Sequence, residues 1–129
     1  MHSEILNNED ELNFSVSMCV YKGDREDWFK RSVDSILNQS LRPNEVVLVV
    51  DGPISESLNA TVSEYEKLDV FKVIRLKVNQ GHGNARRIGI ENCTYDLVAL
   101  MDADDICVLD RFERQIRAFK VNKEIAIIG

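Results

Sequence analysis

No stretch of this 129-residue chain approaches the roughly 20 consecutive apolar residues that cross a bilayer. The opening segment, Met1 to Asn13, is polar and acidic and has no apolar run of the signal-peptide kind. Residues 1–13 therefore read as a disordered or frayed leader, and residues 14–129 as the folded part. Cysteine is sparse. Cys19, Cys93 and Cys107 are odd in number, widely spaced and free of any C-x-x-C pair. That spacing offers neither a zinc site nor a disulfide framework. Free thiols suit a reducing cytoplasm, and small core residues are the expectation for all three. Basic charge is also in deficit: 16 Lys and Arg against 22 Asp and Glu leave a net charge of −6. A general nucleic-acid binder needs the opposite balance. One local positive site for a small anion remains compatible with an acidic protein. There is no internal repeat and no low-complexity linker.

What is present is an apolar content of 44%, arranged as short β-rich runs that alternate with helical patterns. Phe14 to Tyr21 reads as a first strand. Asp24 to Ser40 reads as a helix: Phe29, Val33, Ile36 and Leu37 recur at helical spacing, and Asp24 is a candidate N-cap. Trp28, the single tryptophan, is expected to anchor that helix in the core. Glu45 to Val50 is nearly continuous in apolar residues, as in a strand covered on both faces. Asp51-Gly52-Pro53 turns the chain at its end. A helix over Ser55 to Leu68 and a strand over Phe71 to Leu76 follow. Gly81 to Asn92 reads as a loop entering a third helix, and Leu97 to Met101 as a strand ending at Asp102. Asp110 to Val121 is helical, with Phe112, Ile116 and Phe119 on one face. Glu124 to Ile128 begins another strand.

Strands alternating with helices imply an α/β fold, Rossmann-like, with a mainly parallel sheet and helices on both faces. Ligands of such sheets bind outside the carboxyl ends of the strands. That rule selects Tyr21, Asp51, the stretch Asn79–Arg87 and Asp102–Asp105. Residue chemistry selects the same positions. Asp102-Ala103-Asp104-Asp105 puts three carboxylates within four residues, and their repulsion costs stability unless a cation sits among them. Carboxylates with diphosphate oxygens and water suit Mg²⁺ or Mn²⁺. Gly81 and Gly83 allow close backbone approach to a ligand, and Arg86 and Arg87 at a helix start would attract phosphate. The loop lacks the third glycine of G-x-G-x-x-G and carries no G-K-[ST]. The bland alternatives are a solvated acidic loop whose Asp105 or Asp110 caps the next helix, a surface turn with solvated arginines, and a turn aspartate at position 51. His82 stands alone and receives no role. Tyr21 either stacks on a base or closes the core.

In order, the chain shows a strand ending in Tyr21, an S-I-L-N-Q helix, a strand ending in Asp51-Gly52, an N-x-G…A-R loop and a strand ending in D-A-D-D. This resembles the family 2 glycosyltransferases of the GT-A fold over roughly Phe14 to Gly129. The resemblance implies Tyr21 beside a nucleobase, Asp51 hydrogen-bonded to it, and Arg86 on the nucleotide, with Asn79 and Gly81 in the same loop. It further implies Asp102 near the ribose and donor sugar, and Asp104 on the metal, Mn²⁺ or Mg²⁺, with Asp102 as a second candidate ligand. Four departures stand out: Cys19 in place of proline before the tyrosine, Val50 before Asp51, Arg87 after Ala85-Arg86, and Leu109 where a proline is usual.

The implied activity is inverting transfer of a sugar from a nucleoside-diphosphate donor, UDP-linked, to a hydroxyl of a glycan or lipid-linked acceptor. The wording S-I-L-N-Q-S-L-R-P and V-V-D-G-P is similar to bacterial surface-polysaccharide transferases, which implies a cytoplasmic protein or one at the inner face of the membrane. The general base of the family lies beyond the matched region, so a base is expected beyond Gly129 and the chain is expected to bind donor without turnover. Ending on an apolar strand, it is also expected to self-associate. Three other classes compete. A nucleotidyltransferase would carry a glycine-rich basic loop after the first strand, where this chain has VYKGDRED. A receiver-type module would carry its acidic pair there. A non-catalytic nucleotide-binding module keeps the donor site alone.

Overall fold

The computed structural model describes residues 13–121 and 127–128. But for Asn13, the expected leader lies outside the described residues. The elements run β1 (Phe14–Val20), α1 (Glu26–Leu37), β2 (Glu45–Val50), α2 (Glu56–Glu66), β3 (Phe71–Arg75), α3 (His82–Glu91), β4 (Leu97–Asp102), α4 (Arg111–Val121) and β5 (Ile127–Ile128). The described strands form one parallel sheet in the order β3-β2-β1-β4-β5.

Burial follows the period of the strands. Val46, Leu48 and Val50 of β2 join Phe14, Val16, Met18 and Val20 of β1 in the larger core cluster, under Phe29, Val33 and Ile36 of α1, Leu58 and Val62 of α2, and Phe112 and Ile116 of α4. Val47 and Val49 point the other way and meet Ala85 of α3. A central parallel strand covered on both faces therefore needs the unbroken apolar run EVVLVV. Each fully buried valine or leucine contributes about 1.5–3 kcal/mol of apolar transfer. α3 sits very close to the sheet: a Cβ on Gly89 would lie 2.4 Å from Ser17 Oγ.

The start of α1 differs from expectation. The residue preceding it is Arg25, which makes no side-chain cap. Asp24 instead turns back and accepts the Tyr21 N–H at 2.9 Å. At the start of α2, Ser55 is the cap, its Oγ accepting from Leu58 N–H at 3.1 Å, a contact worth about 1 kcal/mol. Trp28 is not a core anchor. It is 44% exposed, with the Arg25 guanidinium 5.1 Å from its ring. Phe29, one residue on, takes the core position, because a one-residue step rotates a helical side chain by about 100°. Cys107 is buried as expected, whereas Cys19 and Cys93 are only partly so. The side chain of Phe119 and residues 122–126 lie outside the described region.

Candidate functional site

Chain order and strand order part company once. From β1 the chain adds β2 and β3 on one side, and then crosses back to place β4 on the other. The change of direction falls between β1 and β4, and ligands of open parallel sheets bind at the carboxyl ends of strands at such a switch point. A cleft of about 420 Å³ occupies the spot, reached by Tyr21 and Asp24 after β1, Asp51 after β2, Asn79, Gly81 and His82 around the start of α3, and Asp102 and Asp104 after β4. Parallel register brings them level: Cys19 pairs with both Val49 and Asp102. The four strand ends selected from the sequence thus converge on one cleft.

One wall is latched by Asp51, which is 5% exposed. Its Oδ1 accepts the Gln80 N–H at 2.7 Å. Its backbone carbonyl accepts from Asn79 Nδ2 at 3.1 Å, and Asn79 Oδ1 accepts the Gly81 N–H at 3.0 Å. The latch closes only because Gly52 has φ +88° and its missing Cβ would lie 2.6 Å from the Asn79 nitrogen. Gly81, with φ +91°, starts α3. Both angles lie where side chains are rarely tolerated.

The other wall is acidic. Asp102, Asp104 and Asp105 offer carboxylate oxygens within 4.8 Å of one another. A tight turn gathers them: the Asp105 N–H donates to the Asp102 carbonyl at 3.1 Å, and Asp105 Oδ2 accepts the Asp102 N–H at 3.1 Å. Asp105 is thus an acceptor for its own turn, not a cap of α4, and Asp110 pairs with Arg114 at 3.3 Å. Across the cleft, burial pushes the Asp24 carboxyl above the usual range. The Tyr21 N–H opposes this, and the charges of Asp104 and Asp102 add to it. Arg86 answers the acids, its Nη2 lying 3.2 Å from Asp102 Oδ1 and 3.1 Å from His82 Nε2. Arg87 faces away and pairs with Glu91 at 3.1 Å. The set is hard, oxygen-only and more negative than its cationic partner, which fits Mg²⁺ or Mn²⁺ and not a soft metal. Cys19 also lines the cleft, but burial pushes its thiol up to about 11, so it stays protonated and unreactive at neutral pH.

Tyr21 is 46% exposed, so it does not close the core and is free to meet a ligand. Its ring lies over Gly23, where a Cβ would come 2.3 Å from the phenol oxygen. Sequence reasoning passed over two lining residues. Asp24 looked like a helix cap, although its place three residues after a strand-end tyrosine could have marked it. His82 looked solitary, and its 3.8 Å approach to Asp102 Oδ1 exists only because α3, packed on β1 and β2, starts at the same edge of the sheet at which β4 ends.

Known proteins resemble this chain along most of its length. The amylovoran biosynthesis glycosyltransferase AmsE of Erwinia amylovora is 38% identical over 116 residues, 90% of this chain and 44% of that protein. The UDP-Gal:alpha-D-GlcNAc-diphosphoundecaprenol beta-1,3-galactosyltransferase of Escherichia coli is 30% identical over 122 residues, 95% of this chain and 44% of its own length. The chain therefore spans less than half of these curated relatives. Among solved structures, GalNAc-T7 with UDP, GalNAc and Mn²⁺ superposes with a TM-score of 0.77 at 23% identity, covering 89% of this chain and 22% of that one. That likeness is one of fold, and the fold is GT-A. A family model described as Glycosyl transferase family 2 matches residues 15–129, and the chain belongs to that family.

Proposed function

We propose that this chain binds the nucleotide end of a nucleoside-diphosphate sugar, UDP-linked, within a metal-dependent inverting glycosyltransferase of bacterial polysaccharide or cell-surface glycan synthesis. The observation that carries this reading is the cleft itself: a buried aspartate and an exposed tyrosine on one side, an acidic turn faced by Arg86 on the other. Tyr21 lies against the base and Asp51 accepts from it. Asn79 and Gly81 hold the loop that shapes the pocket, and Arg86 leaves Asp102 for the diphosphate. Asp102 serves the ribose and donor sugar. Asp104, with Asp102 as the second candidate, holds Mn²⁺ or Mg²⁺. Such an ion, when bound, neutralises charge developing on a departing diphosphate.

Transfer requires an acceptor hydroxyl, on a glycan or lipid-linked sugar, to attack the anomeric carbon from the face opposite the diphosphate while a carboxylate takes its proton. We assign that base to sequence beyond Gly129, and residues 14–129 to the donor half of the domain. The names of the relatives support a polysaccharide role, and the similarly folded GalNAc-T7, solved with UDP and Mn²⁺, supports the donor and the ion. Among the described residues no helix is long and apolar enough to cross a membrane; a cytoplasmic setting at the inner membrane face agrees with lipid-linked acceptors. This chain is also proposed to self-associate through the apolar strand that includes Ile127 and Ile128. A monodisperse monomer by light scattering at high concentration would exclude that.

The decisive test is calorimetric titration of UDP with Mn²⁺ and with EDTA, for the wild type and Asp104→Ala. Binding that needs the ion and disappears in the variant is expected. Binding indifferent to both would keep a nucleotide pocket and discard the metal role.

A further inference from the structure

We infer that Gln39, assisted by Ser35, is a positioning residue that sets the geometry of the acidic turn from behind. This rests on the reading of Asp102 and Asp104 as metal ligands. The connection from Ala103 to Asp110 has no helix or strand, and it follows Asp102 and carries Asp104 and Asp105 near its start. Such a loop holds ligands at fixed spacing only if its backbone is tied down.

The ties come from Ser32 and Ser35 of α1 and from Gln39 and Ser40 after its end. Ser32 Oγ donates to the Asp102 carbonyl at 3.2 Å. Ser35 Oγ accepts the Cys107 N–H at 3.0 Å while donating to the Ser32 carbonyl at 2.7 Å. Gln39 is 4% exposed. Its Nε2 donates to the Val108 carbonyl at 2.6 Å and to the Ser35 carbonyl at 3.2 Å. Its Oε1 accepts the Phe112 N–H at 3.0 Å in the first turn of α4. The Ser40 N–H donates to the Leu109 carbonyl at 2.9 Å. One buried amide therefore satisfies a carbonyl of the loop and an otherwise orphaned N–H of the next helix, which a carboxylate or an apolar side chain of the same length cannot do together. Neither Gln39 nor Ser35 lines the cleft, so Gln39 is not placed against ligand or ion. It acts through the loop. Groups that orient metal ligands typically carry a 10–100-fold share of metal affinity.

The experiment measures Mn²⁺ affinity by electron paramagnetic resonance in the presence of UDP, with melting temperature recorded for each protein. Gln39→Leu should weaken Mn²⁺ binding about tenfold, and Gln39→Glu, which keeps the acceptor but not the donor, should weaken it as well. Val62→Ala, in the core far from the loop, should lower the melting temperature while leaving Mn²⁺ affinity within about twofold. Ser35→Ala removes one tie only and should weaken the ion by a few-fold, so it decides the matter should Gln39→Leu fail to fold. Gln39 variants that melt lower but bind Mn²⁺ like Val62→Ala overturn the proposal. Asp104→Ala binding the ion as tightly as wild type overturns the metal reading, and the proposal with it.

Discussion

The two ends of the same parallel strands treat carboxylates in opposite ways. At the amino end, Glu45 is wrapped in donors: Ser15 Oγ at 2.7 Å, the Thr94 N–H at 2.7 Å and Thr94 Oγ1 at 2.7 Å, with Lys72 Nζ at 3.5 Å. Burial alone would raise its carboxyl, but these bonds and Lys72 outweigh burial and hold it below the usual range. At the carboxyl end, Asp102, Asp104 and Asp105 cluster with Arg86 on Asp102 alone, and burial, with the charges of Asp104 and Asp102, pushes Asp24 upward. A carboxylate saturated with donors stabilises the fold. A group of carboxylates short of donors costs stability and is ready to accept a cation. Both ends are acidic in sequence, and only the supply of donors separates them.

The largest expected break in this symmetry is at Asp104. Asp104→Asn should cost at least about tenfold in Mn²⁺-dependent UDP affinity, about 1.4 kcal/mol or more, with a melting temperature equal to or above that of the wild type. Calorimetry and thermal denaturation together check it, and a large loss of stability would place Asp104 with Glu45 instead. At the other end, Glu45→Ala should leave UDP affinity unchanged and lower unfolding free energy by about 2 kcal/mol, because Thr94 and Ser15 lose their acceptor. Denaturant titration measures this.

The two ends also respond oppositely to acid. The depressed Glu45 contributes stability that is fully present above the ordinary glutamate value of about 4.3 and is lost as pH falls through its lower folded value. Glu45→Gln should therefore flatten the acid limb of a stability-versus-pH curve. The raised Asp24 works in the reverse sense: its cost to stability begins as pH rises through the ordinary aspartate value of about 3.9 and is complete above its raised folded value. Asp24→Asn should melt slightly higher than wild type at neutral pH, with the difference shrinking as pH falls towards about 3.9. This is the smallest of the four effects, and equal melting temperatures across that range would remove Asp24 from the strained set.

Much of this was legible in the sequence because it rests on local periodicity. EVVLVV alternates its valines between two helix layers, and Phe29, Val33 and Ile36 make a helical stripe, so strands, helices and their order could be read directly. Tyr21, Asp51, Asn79, Gly81, Arg86, Asp102 and Asp104 were selectable because a parallel sheet collects its strand ends on one edge. Trp28 misled because hydrophobicity alone does not choose between adjacent helix positions, whereas packing does. Asp24 misled because a carboxylate near a helix start can cap forwards or reach back, and the backbone path after Tyr21 selects the second.

Taken alone, the sequence determined the α/β architecture and the acidic turn at the end of β4, since each is a matter of pattern over neighbouring residues. The tertiary structure alone decided which charges answer one another. Arg86 meets Asp102 while its neighbour Arg87 does not, because one-residue steps on a helix point about 100° apart. It also decided that Gln39, 73 residues from Phe112 along the chain, accepts the N–H of that residue in the first turn of α4. A hydrogen bond across that separation has no local signature. It exists only once the crossover from β3 to β4 has laid α4 beside α1.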